Sequence, residues 1–235
     1  MTRILLLAFV ASSTGCAFSS YQSAKTMPQG GTSVTGAVTQ YGYRGETDQN
    51  EEAVEVMASH ALTDQVELGG KLAWFNEEGV NVYNLLVAPK VGIIPNQLAF
   101  TAPTGIVVFS SDEDGVDSEN IWQTMPGVVF GIPINPAVEV DLAGKWVLQF
   151  SDDFEDNNGA VAVNAGVRFT LPNTTFSLMP ELGVLYDNDE LDSEGDTEYF
   201  MQIGLAFGYE FLPPGAMQPV PPPAAPAPAG APGAY

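Results

Sequence analysis

Two dense carboxylate runs are the first residues of this 235-residue chain with the means to do chemistry. One is Asp112-Glu-Asp-Gly followed by Asp117, and the other opens as Asp187-Asn-Asp-Glu and continues to Asp192. Carboxylate oxygens ligate hard divalent cations, so Asp112, Asp114, Asp117, Asp187, Asp189 and Asp192 are candidate Ca2+ ligands. Neither run completes an EF-hand pattern with its later Gly and bidentate Glu. Weak divalent-ion association or plain solvated charge are the readings left, with no specific metal site and no cofactor expected. The sole histidine, His60, follows Ser59. Adjacent residues of a strand point to opposite faces, so this Ser-His pair is not expected to meet as nucleophile and base. With no Gly-rich phosphate loop and no zinc motif either, the chain is not expected to be an enzyme.

The charge balance narrows the partners. Asp and Glu number 29 against 7 Lys and Arg, a net charge of −22, which argues against nucleic acid as a partner. Charged residues are only 15% of the chain, well below the roughly 25% of an ordinary soluble domain. Much of the surface must therefore be uncharged, as a lipid-facing surface would be.

The N-terminus reads as an export signal over residues 1–15: basic Arg3, an apolar run from Ile4 to Ala11, then small residues up to Gly15-Cys16. The apolar run is too short to span a bilayer as a helix, which needs about 20 residues. The ending resembles a bacterial lipobox, with Ser13 where Leu is usual, and that resemblance implies a lipidated Cys16. An ordinary signal peptide with an incidental cysteine is the alternative. Cys16 is the only cysteine, so no internal disulfide is available. Residues 16–31 read as a tether behind the anchor. Residues 212–235, rich in Pro and Ala, read as a disordered or polyproline-II-like tail.

Between these ends runs period-two alternation. In the last segment Tyr199, Met201, Ile203, Leu205, Phe207, Tyr209 and Phe211 share one face, opposite Phe200, Gln202, Gly204, Ala206, Gly208 and Glu210. Similar segments fall at 33–44, 52–62, 65–76, 81–94, 97–110, 121–134, 137–151, 160–171, 175–187 and 198–211, each long enough for a tilted membrane strand of about 9–11 residues. Tight turns at Thr63-Asp64, Pro95-Asn96, Asn135-Pro136 and Pro172-Asn173-Thr174 alternate with acidic loops at 45–51, 77–80, 111–120, 152–159 and 188–197. This is an all-β, antiparallel up-and-down transmembrane barrel of about ten strands over residues 32–211, or eight if Pro89, Pro103, Pro126 and Pro180 shorten some of them.

Aromatic residues of the apolar parity mark both strand ends, with Trp74, Tyr83, Trp122, Phe150, Tyr186 and Tyr199 on the loop side and Phe100, Phe169, Phe176 and Phe211 on the turn side. The opposite parity carries small residues and a charge set: Glu67, Lys71, Lys90, Glu139, Asp141, Lys145, Arg168, Glu181 and Glu210. These charges are expected to pair across a narrow lumen, since a Lys or Arg facing lipid near mid-plane costs roughly 2–4 kcal/mol. An even strand number puts both termini on the turn side.

In these features the chain resembles the small outer-membrane β-barrel proteins of bacteria. That resemblance implies a place in the cell outer membrane with loops extracellular and both termini periplasmic. It also implies lipid and lipopolysaccharide as partners, and divalent ions held by the acidic loops could bridge to lipopolysaccharide phosphates. The terminal strand closing on Tyr209 and Phe211 is similar to the signal read by the barrel-assembly machinery. The role expected is structural, surface-interacting or that of a narrow pore. The alternative is a lipid-anchored soluble β-sandwich or lipocalin-like binder, which would hide its apolar face within.

Overall fold

In the computed structural model, residues 17–44, 49–77, 80–111, 120–150, 157–187 and 199–214 are described. The alternating segments form twelve strands: β1 (Thr32–Arg44), β2 (Gln49–Thr63), β3 (Val66–Glu77), β4 (Val80–Ile94), β5 (Leu98–Thr101), β6 (Thr104–Ser111), β7 (Asn120–Thr124), β8 (Gly127–Asn135), β9 (Val138–Phe150), β10 (Asn157–Thr170), β11 (Phe176–Asp187) and β12 (Tyr199–Phe211). All pairs are antiparallel, and β12 closes on β1 from Thr32↔Phe211 to Arg44↔Tyr199. The result is a closed ten-stranded barrel, because β5 with β6 and β7 with β8 are the halves of two interrupted staves. Closure leaves no free sheet edge.

Proline explains both interruptions. β4 pairs with β6 up to Val87↔Thr104 and with β5 from Lys90↔Thr101, and Pro89 lies in the gap opposite Ala102-Pro103. β7 and β8 are divided in turn by Met125-Pro126. Proline has no N–H to give, but its carbonyl still accepts. Pro89 O takes the amide of Ala102 (3.2 Å), Pro103 O that of Met125 (2.8 Å) and Pro126 O that of Trp146 (2.9 Å). The three prolines thus form one band of half-kept pairing across neighbouring staves. Pro180 keeps its place opposite Leu205. On its other side β10–β11 partners are missing between Gly166↔Glu181 and Phe169↔Leu178.

The turns use the residues their geometry demands. Asn96 (φ 58°) and Asn173 (φ 60°) take the left-handed conformation that Asn tolerates better than most side chains.

The wall's two faces differ as the alternation requires. Val38 (56% exposed), Val163 (52%), Leu182 (54%) and Ile203 (56%) point outward at mid-strand. Trp74, Tyr83, Trp122, Phe100, Phe169 and Phe211 are also exposed, toward the strand ends. A lipocalin-like arrangement would have turned this apolar face inward.

Main chain, and not only side chains of the wall, fills the interior. Residues 17–31, read from sequence as a tether, run through the barrel. Ala17, Phe18, Ser19, Ser20, Tyr21, Ser23, Ala24 and Met27 are all buried. Ala17 and Phe18 sit among Tyr41, Ala53, Phe75, Val82, Phe109 and Phe200, in the loop-side half. Tyr21 is packed with Ala37, Met57, Met179 and Ala206 nearer the middle, and Ala24 with Val129 and Ala143. The segment leaves at the turn side, where Thr26 Oγ1 donates to Asp64 O (2.6 Å) and Gln29 N to Asp64 Oδ1 (2.8 Å). Gly30, at φ 83°, then turns the chain into β1. Strand parity fixes where β1 begins, at the turn side, and residues 17–31 before it double back through the lumen; the two chain ends themselves lie outside the described residues.

Candidate functional site

Each inward charge sits where strand parity puts it, flanked in sequence by outward apolar residues. Around Ala17–Tyr21 these charges form an upper tier. Lys71 Nζ bridges Glu55 Oε2 (2.8 Å), and both side chains are nearly or wholly buried. The same ammonium donates to Ala17 O (2.8 Å), Ser19 O (3.1 Å) and Ser19 Oγ (2.5 Å). Lys145 Nζ donates to Phe18 O (2.9 Å) and Ser19 O (3.0 Å). Glu55 also accepts from Ser19 (2.5 Å), Thr39 (2.5 Å) and Tyr41 (2.9 Å). Its carboxylate is thereby saturated, which offsets much of the cost of burying it.

Glu181 makes the most directed contact. Its Oε1 accepts the amide of Ser20 and its Oε2 that of Tyr21, both at 2.7 Å. Two successive amides can converge on one carboxylate only if the backbone curls, and Tyr21 does so at φ 42°. A non-glycine residue in this region is strained and persists only where its surroundings hold it. Here the hold comes from Glu181 below and from the Tyr21 hydroxyl at 2.7 Å from Thr39 Oγ1. Asn164 Nδ2 (3.2 Å) and Gln202 Nε2 (2.6 Å) orient Glu181 by donating to Oε1.

The lower tier surrounds Ser23–Met27. Lys90 Nζ bridges Glu67 Oε2 (2.8 Å) and donates to Lys25 O (2.9 Å), while Glu67 Oε1 accepts the Met27 amide (2.6 Å). Ser23 Oγ donates to Glu139 Oε1 (2.8 Å), and Arg168 Nε lies 3.9 Å from Asp141 Oδ2. Glu210 and Arg168 help line a cavity of about 70 Å³ between the segment and the turn-side wall, with Lys25, Lys90 and Glu67.

The nine lumen charges read from sequence therefore lie in one interior, but their pairing differs from expectation. Glu55–Lys71, Glu67–Lys90 and Asp141–Arg168 each join neighbouring strands along the wall. They do not reach across, because main chain fills the middle. Sequence reasoning missed Glu55, whose inward parity between Val54 and Val56 was the available signal. It also missed the guest segment. The signal there was the small inward residues: a Cβ added at Gly204 would run into the Tyr21 hydroxyl, and one at Gly92 would lie 3.3 Å from Thr26 Cγ2.

The remaining candidates divide clearly. Ser59 Oγ pairs with Ser33 Oγ (2.8 Å) and His60 Nδ1 with Thr32 Oγ1 (2.9 Å), on opposite faces of β2, so no catalytic pair is assembled there. Tyr209 and Phe211 are exposed on the outer face, their rings 4.8 Å apart and edge-on. Cys16, Asp112, Asp114, Asp117, Asp189 and Asp192 lie outside the described residues, and Asp187 enters only as the last residue of β11. Among the described residues, no group of three or more His, Cys, Asp or Glu could hold a metal ion.

No protein-family model and no curated protein matches the chain. Solved structures give low-level likenesses. Neisserial surface protein A is 8% identical, covering 78% of this chain and all of its own, with a TM-score of 0.38. An outer membrane channel from Pseudomonas putida F1 is 11% identical over 82% of this chain and 100% of its own, with a TM-score of 0.47. The NanC porin is 14% identical over 75% of this chain and 98% of its own, with a TM-score of 0.44.

Proposed function

We propose that the chain is an integral outer-membrane β-barrel with a structural or surface-interaction role, its lumen shut at rest by residues 17–31. The supporting observation is the inversion of its two faces. Mid-strand Val, Leu and Ile are about half exposed outside, while Glu55, Glu181 and Lys145 are buried inside. In water such an exterior would be one continuous apolar patch, far beyond what monomeric soluble proteins expose. In a bilayer the closed wall satisfies its backbone groups and the aromatic ends suit the two interfaces.

The acidic loops face the exterior in this reading, where divalent ions could bridge them to lipopolysaccharide phosphates. Tyr209 and Phe211 present the closing strand to the barrel-assembly machinery. Cys16 is the proposed lipidation site. Incorporation of labelled palmitate by the wild type and not by Cys16→Ser checks the modification.

Purified outer membranes test the main reading. The protein is expected to resist carbonate extraction and to migrate faster on SDS gels before boiling than after. Complete release by carbonate would overturn it in favour of a lipid-anchored soluble binder.

A further inference from the structure

We infer that residues 17–27 are a removable plug, and that the lumen they vacate conducts small cations in preference to anions. The inference rests on the chain being an integral barrel.

The attachment of this segment is unlike that of any stave. Each stave is held along its length by backbone ladders on both sides. Residues 17–27 contain no strand or helix and are held through the wall's side chains, chiefly those of Lys71, Lys145, Glu181, Glu67 and Lys90. Backbone-to-backbone pairing with the wall begins only at the turn side, where Gly30 N meets Ala61 O (2.9 Å) and Gly31 O meets Ala61 N (2.8 Å). Gly30 at that point is a natural hinge. The segment can therefore leave without breaking a single barrel ladder.

Two further observations say what its departure would leave. Beside the apolar packing of Phe18 and Tyr21, the groups that hold it are ammonium and carboxylate groups, which water solvates well, and Ser20 Oγ, Gln22 Oε1, Asn164 Oδ1 and Gln202 Oε1 already find no protein partner beside it. A vacated lumen would fill with water where an apolar one would collapse. The wall is also unbalanced in charge. On the inward parity Glu51 joins Glu55, Glu67, Glu139, Asp141, Glu181 and Glu210, against only Lys71, Lys90, Lys145 and Arg168. Departure removes one more cation, Lys25. Pores lined by acidic side chains favour cations.

The test is single-channel recording in planar bilayers under a KCl gradient, on three proteins each first shown to resist carbonate and to be heat-modifiable. Wild type is expected to stay closed. Deletion of residues 17–27 is expected to give discrete steps whose reversal potential moves toward that of K+. The third protein weakens the plug's aromatic anchors by Phe18→Ala and Tyr21→Ala, and carries Ala24→Cys, Gly131→Cys and Cys16→Ser. A Cβ at Gly131 would lie 3.1 Å from Ala24 Cβ, a little inside the separation of about 3.5–4.5 Å that a disulfide spans, and would push aside the flexible end of Glu139. It should be silent when oxidised and conduct when reduced.

An inserted deletion variant with wild-type conductance, steps that prefer Cl−, or equal currents in the two redox states would each overturn the inference. If the deletion fails to assemble, the redox pair decides alone. Release of all three proteins by carbonate would instead count against the integral barrel itself.

Discussion

The two faces of this wall are made by the same strands, residue by residue, yet obey opposite rules. In β2, Val54 and Val56 are about half exposed while Glu55 between them is completely buried. In β12, Ile203 points out and Gln202 is buried. The outer face is specified only in hydropathy: in the bilayer proposed above many apolar residues would serve, because lipid has no shape to match. The inner face is specified atom by atom, since each buried charge must find partners or lose several kcal/mol. Substitutions are therefore felt on the inner face and absorbed on the outer one.

The largest effect is expected from Glu55→Ala. It leaves the Lys71 ammonium buried without its carboxylate and removes an acceptor from Ser19, Thr39 and Tyr41. Loss of one partner of a buried pair costs about 3–5 kcal/mol. Urea unfolding in lipid vesicles, followed by tryptophan fluorescence, should show at least that scale of loss. A cost under about 1 kcal/mol would mean that the lumen is wet enough to solvate Lys71. Next in size is Ile203→Lys on the outer face, expected to cost roughly 2–4 kcal/mol if the residue faces hydrocarbon. The same substitution in a water-exposed strand would be nearly neutral, so this variant tests the bilayer directly.

Legibility from sequence followed the same division. All ten staves are visible, since alternation is a local signal and each stave repeats it; the prolines interrupt two staves without removing them. Lys71, Lys90, Arg168 and Glu181 were legible as inward charges by parity alone. The guest segment was not. Ala17–Gly31 has no periodicity, and its position depends on long-range contacts with every part of the wall, such as Ser20 with Glu181 and Lys145 with Phe18. The inward glycines recorded that something must fit beside them, without recording what. Without the segment, pairing across the lumen looked necessary; with it, pairing along the wall suffices.

Gly204→Val sharpens the point. The added side chain would occupy the place of the Tyr21 hydroxyl, while the neighbouring outward residues Ile203 and Leu205 are untouched. The barrel should assemble with near-normal heat modifiability while residues 17–27 become accessible to added protease. Unchanged protection would show that Tyr21 has room to move aside.

The smallest comparison places the two faces at adjacent residues. Ser59 is partly buried, its hydroxyl 2.8 Å from Ser33 and 3.4 Å from Glu67, so Ser59→Ala leaves those partners short of a bond inside the lumen. His60 is exposed on the outer face and only its Nδ1 engages Thr32. A lost interior bond is worth about 1 kcal/mol, whereas an exposed substitution usually falls within about 0.5 kcal/mol. Ser59→Ala should therefore lower the unfolding free energy measurably and His60→Ala should not. The reverse order would mean that the turn-side rim does not follow the rule of the barrel's middle, and that the rule of exacting interior and tolerant exterior belongs only to the central part of each strand.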